Sequence, residues 1–86
     1  MASTNITVAS AATQIVPLNM ARQALWLVND SDASIFLSLG GQAALNAGIR
    51  LNPAGGSLEL AGLTRYKGSI TAICSAGNKV LAVEEL

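Results

Sequence analysis

Ala24-Leu25-Trp26-Leu27-Val28-Asn29-Asp30 and, three residues further on, Ser34-Ile35-Phe36-Leu37-Ser38-Leu39-Gly40 are the stretches whose reading decides the fold. Successive side chains of an extended strand point to opposite sides. That rule puts Leu25, Leu27, Ile35, Leu37 and Leu39 together on one side, all of them aliphatic. The other side carries Trp26, Val28, Ser34, Phe36 and Ser38. An antiparallel register that joins Leu27 to Ile35 also brings Trp26 opposite Phe36, as a cross-strand aromatic pair.

Two readings of the mixed side stand next to each other. In one, Trp26 and Phe36 are core residues of a sheet buried on both faces, since tryptophan is highly buried on average. In the other they form an outward apolar patch. The serines beside them suit a partly wet surface, and protein interfaces are rich in aromatic residues and poor in charge at their centres. The second reading is favoured, and Trp26, Val28 and Phe36 are the candidate protein-interface residues.

Outward from this pair, helical periodicity is hard to find. Short runs of Ile, Leu and Val recur between clusters of Gly, Asn, Asp, Ser and Pro, a spacing that predicts a sandwich or barrel. The expected strands are 6–9, 14–18, 24–29, 34–39, 49–51, 57–60, 68–75 and 80–84. Asp30-Ser31-Asp32 supplies side-chain acceptors for a turn. Asn52-Pro53-Ala54-Gly55-Gly56 is the strongest turn, because Pro presets φ and the glycines admit left-handed backbone. The fold class is therefore all-β, a single antiparallel β-sandwich or jelly-roll-like domain over 13–86, preceded by a flexible N-terminal arm over 1–12. Its inner faces are expected from Leu25, Leu27, Ile35, Leu37, Leu58, Ile70 and Ile73.

A chain of 86 residues has room for one domain, and its core is marginal for its size. Small domains add a disulfide, a metal or a partner chain. Cys74 is the only cysteine and there is no histidine, so neither an internal disulfide nor a structural zinc site is available. Association with other chains is left. Charged residues make up 12% of the chain, about half of the roughly 25% usual in soluble domains, which makes the surface easy to cover.

The residues that catalysis needs are missing. Histidine, the commonest general acid or base, is absent, and no serine has a candidate base beside it. Cys74 sits in an apolar strand, where a buried inert thiol is expected. Asp30 and Asp32 share a turn, but two carboxylates are few for calcium, which takes about six to eight oxygens. Glu84 and Glu85 read as solvated charges. Arg22, Arg50, Arg65 and Lys67 are scattered, and single-strand binders interleave aromatics for stacking. The chain is expected to be no enzyme, with no cofactor, metal, nucleic acid, membrane or small-molecule substrate.

The order of segments also resembles small structural proteins of tailed phages. The carriers are Ala-Thr-Gln-Ile-Val-Pro-Leu-Asn at 12–19, Asn-Asp-Ser-Asp at 29–32, Gly-Ile-Arg-Leu-Asn-Pro-Ala-Gly-Gly-Ser at 48–57 and Tyr-Lys-Gly at 66–68. The likeness spans most of the chain from Ala12 onward, and its motifs are turn signatures of moderate specificity. Similar sequences often carry a polar residue in the slot of Trp26. The resemblance implies a β-sandwich attached to the virion, as a head decoration protein or a head- or tail-fibre domain; synthesis in the host cytoplasm is expected from the lack of a visible export signal. The expectation is a capsid decoration (cement) protein on the capsid surface that binds the major capsid protein and itself, with a homotrimer expected from the lattice's three-fold sites. The alternative it leaves is a head- or tail-fibre or baseplate domain that binds a host-surface glycan or another tail protein.

Overall fold

A computed structural model describes residues 2–61 and 66–85. The described chain forms eight strands: β1 (Ala2–Val8), β2 (Thr13–Val16), β3 (Ala24–Asn29), β4 (Ile35–Leu39), β5 (Ile49–Leu51), β6 (Gly56–Ala61), β7 (Ile70–Ile73) and β8 (Lys79–Glu85). They build two four-stranded antiparallel sheets, ordered β1-β8-β3-β6 and β2-β7-β4-β5. The pairings β1–β8, β2–β7, β3–β6 and β4–β5 match first strand to last and work inward. A long antiparallel ribbon rolled once on itself gives this order, and it is the jelly roll.

The core lies between the sheets and is aliphatic. Leu25, Leu27, Leu60, Leu81 and Val83 come from the first sheet, and Ile15, Ile35, Leu37, Leu51 and Ile70 from the second. Burying each such side chain contributes about 1.5–3 kcal/mol. Ala72 and Cys74 complete the middle of the second layer, with Tyr66 packed against the cluster. No aromatic ring is fully buried in it.

Three expectations are corrected. First, β3 and β4 do not pair: β3 lies between β6 and β8, and β4 between β5 and β7. Leu27 and Ile35 both face the core, from opposite sheets of the sandwich rather than side by side in one. Alternation says which residues share a side, and it is satisfied equally by neighbours in a sheet and by strands that face each other. Buried Asn29 fixes the crossing. Its Nδ2 donates to Ala33 O at 2.8 Å and to Leu51 O at 2.9 Å, and its Oδ1 accepts from Ser31 N and Ser31 Oγ.

Second, the arm over 1–12 is largely a strand. Residues 2–8 run the whole length of β8, from Ala2 opposite Glu85 to Val8 opposite Lys79. Val8 is fully buried and Ile6 packs on the core. Two apolar residues suffice here because β8 presents a ready backbone template. The sandwich thus begins at residue 2.

Third, Ile73 is not an inner residue. Ile70, Ala72 and Cys74 are buried, whereas Ile73 is half-buried beside Phe36. Ile70 and Ile73 are three apart, so a two-residue period sends them to opposite sides. Of the other expected inner residues, Leu25, Leu27, Ile35, Leu37 and Ile70 are buried and Leu58 packs at the core's margin.

One glycine controls the entry to β5. Gly48 has φ +79°, and a Cβ there would lie 2.5 Å from the carbonyl oxygen of Leu37 in β4. Left-handed backbone costs a residue with a Cβ about 1–2 kcal/mol, and a backbone clash adds to that. Gly48→Ala is expected to lose about 2 kcal/mol or more, read as a fall of about 10 °C in thermal unfolding, since 1 kcal/mol moves a domain of this size by about 4–8 °C. An unchanged melting temperature would refute the assigned turn geometry.

Candidate functional site

The parity that buries Leu25 and Leu27 turns Trp26 and Val28 to the outer side of the first sheet, where both are half-buried. They line a groove of about 270 Å³ with Thr4 and Asn5 of β1 and Ala82, Val83 and Glu84 of β8. The floor is low because Ala82, on the strand between, has a side chain of one methyl. Register places Glu84 of β8 and Glu59 of β6 on either side of Trp26. The indole therefore sits in a row between two carboxylates, with adjacent strands about 4.8 Å apart.

Phe36 is elsewhere. Its neighbours Ile35 and Leu37 point into the core, so it stands on the outer side of the second sheet, between Ile73 of β7 and Arg50 of β5. The expected aromatic pair does not exist, and the three candidate interface residues are split between opposite faces of the sandwich. Neither Trp26 nor Phe36 belongs to the core cluster. The segment 41–43 folds over the neighbouring row of the second sheet. The hydroxyl of Thr71 donates to Gly41 O at 2.9 Å and accepts from Ala43 N at 2.8 Å, leaving Ile73, Phe36 and Arg50 as the uncovered part.

The other polar candidates have structural work. Arg22 is inside the molecule, 1% exposed. Its Nε donates to Glu85 Oε2 at 2.6 Å, Nη1 to the carbonyls of Tyr66 and Gly68 at 3.0 Å each, and Nη2 to Pro17 O at 2.7 Å. One guanidinium thus ties the β2–β3 loop, the approach to β7 and the end of β8. The hydrogen bond from Arg22, aided by one from Asn19, holds the Glu85 carboxyl below its ordinary 4.5. Asp32 pairs with Lys79 at 2.6 Å on the exposed rim. The hydrogen bond and charge of Lys79 lower the Asp32 carboxyl, and those of Asp32 raise the Lys79 ammonium. Cys74 is buried with its thiol 3.7 Å from Val8 O. Arg65 lies outside the described residues. Among the described residues no group of three or more His, Cys, Asp or Glu side chains is placed to hold a metal, and no helix is long and apolar enough to cross a membrane.

Sequence reading missed Glu59, Glu84 and Asn5 as neighbours of Trp26. Alternation with Leu58 and Leu60 does send Glu59 outward, but its place beside Trp26 depends on a pairing more than thirty residues long in sequence.

The fold and this surface define an eight-stranded jelly-roll domain with a half-buried aromatic residue on each outer face. No protein-family model, curated protein or solved structure matches the chain.

Proposed function

We propose that this chain is a non-enzymatic structural protein of a phage particle, one that decorates the capsid and stabilises it by binding across major capsid subunits. The observation that carries the reading is the outward placement of Trp26 and Val28 over a groove, on a domain with few charges to keep partners away. Aromatic anchors in such positions supply much of the energy of protein contacts. The likeness of the turn motifs to small tailed-phage proteins supplies the setting. Jelly rolls serve in viral capsid and lectin domains, a likeness of architecture that by itself names no function.

The physical effect of decoration is mass action. A ligand that binds only the assembled lattice stabilises each site by about 2.7 kcal/mol at a hundredfold excess over Kd. Purified particles of the encoding phage should carry the chain on the capsid exterior. Trp26→Ala should lower its occupancy of undecorated capsids at least tenfold while the melting temperature moves by only a few degrees. Particles without the chain, or equal occupancy by the variant, would overturn the reading.

A second reading has one observation in its favour. Trp26 between Glu59 and Glu84, with Asn5 across the groove, offers the stacking ring and hydrogen-bonding groups that a glycan-binding fibre or baseplate domain uses. Saccharide binding on a host-glycan array, abolished by Trp26→Ala, would select it over capsid decoration.

A further inference from the structure

We infer that the two outer faces of the sandwich fit each other, so that copies of this chain associate head to tail, the Trp26 face of one on the Phe36–Arg50 face of the next. This goes beyond capsid decoration and does not depend on it, because it concerns the free protein.

Charge complementarity points to a second copy as the occupant. In the strands of the second sheet the only charged residue is Arg50, which is exposed and next to Phe36. In the first sheet Lys79 is taken by Asp32 and Glu85 by Arg22. Glu59 and Glu84, the carboxylates that flank Trp26, are the charged residues on the outer side of that sheet. A carboxylate has about four acceptor positions, and Glu59 presents them on an exposed side chain. A guanidinium matches such a site twice, stacking on the indole face and donating to carboxylates. The groove of about 270 Å³ beside Trp26 gives the end of a long side chain room, and Phe36 and Ile73 then cover Val28 and Ala82.

Size and direction agree. The Cα frame extends 33 × 23 × 18 Å, so its broad side sets an upper bound on the order of the ~800 Å² per partner that a standard interface takes, reduced on the second sheet where segment 41–43 lies over Thr71. The two faces look in opposite directions. A contact between unlike, opposed surfaces is heterologous and extends instead of closing into a small ring, so the stack keeps one Trp26 face open at its base.

The test is sedimentation velocity on the purified chain across a wide concentration range at low salt. Self-association that weakens as salt rises is expected, because exposed charges are screened. Arg50→Glu disables one face and the double variant Trp26→Ala/Glu59→Gln the other, and each should weaken self-association at least tenfold. Mixed in equal amounts, the two variants retain one good face of each kind and should form a heterodimer that grows no further. Circular dichroism confirms that each is folded, with Arg50→Gln as the milder substitute should Arg50→Glu not fold. A wild-type monomer at every concentration, a closed trimer indifferent to Arg50→Glu, or variants that fail to complement each other would each overturn the inference.

Discussion

Replacing Arg22 with methionine is expected to remove about 3–5 kcal/mol of stability, from several acceptors at the buried guanidinium that lose a donor at about 1–3 kcal/mol each. Folded domains hold roughly 0.05–0.15 kcal/mol per residue, about 4–13 kcal/mol for 86 residues, so a loss of that size removes a large share of the total. The reason is the number of groups orphaned at once. The carbonyls of Pro17, Tyr66 and Gly68 and the carboxylate of Glu85 all lose a donor. Methionine fills much of the volume and supplies none of these donors. Arg22→Lys keeps the charge but presents a point donor rather than a planar fork, and should recover only part of the loss. Urea unfolding of the three proteins checks this, and a deficit below about 1 kcal/mol in the methionine variant would contradict the buried clasp.

The same clasp makes stability depend on pH. The Glu85 carboxyl titrates below its ordinary 4.5 in the folded chain because Arg22 donates to it. The folded state therefore binds fewer protons than the unfolded one near that pH, and stability falls as pH drops. The contribution is complete above about pH 5 and is lost as pH descends through the folded value. Urea midpoints measured from pH 7 to pH 3 should decline, and Glu85→Gln should flatten the part of the decline that Glu85 causes.

Asn29→Leu is the second large effect, with about 2–4 kcal/mol expected from several buried polar groups left without partners at about 1–3 kcal/mol each. Asn29 is fully buried at the end of β3, and its amide serves both strands of the crossing. Leucine has similar volume but takes the amide donor from Leu51 O and the acceptor from Ser31 N, and leaves Ala33 O with the Ser31 hydroxyl alone, at 3.0 Å. Because these bonds carry the chain from one sheet to the other, protection from hydrogen exchange should fall first around 29–34 and in β5. Stability equal to wild type would mean that the turn holds itself without the amide.

Much of the fold was legible because strands have a period of two. Leu25, Leu27, Ile35 and Leu37 are buried as the pattern demands, and the Asn52–Gly56 turn joins β5 to β6 where Pro and Gly place it. The same period, read with care, excludes Ile73 from the core once Ile70 is in it. Arg22 was harder. An arginine flanked by alanine and glutamine carries no local sign of burial, and three of its four acceptors come from residues more than forty positions away.

By itself the sequence determined the secondary structure class, the turns and the side of each strand that is apolar, since all three follow from backbone chemistry within a few residues. Tertiary structure alone decided which strands are neighbours. Parity is unchanged whether two strands pair in one sheet or face each other across a core, so Trp26 acquires Glu59 and Glu84 as flanking groups, and Phe36 acquires Arg50, only when the ribbon rolls up.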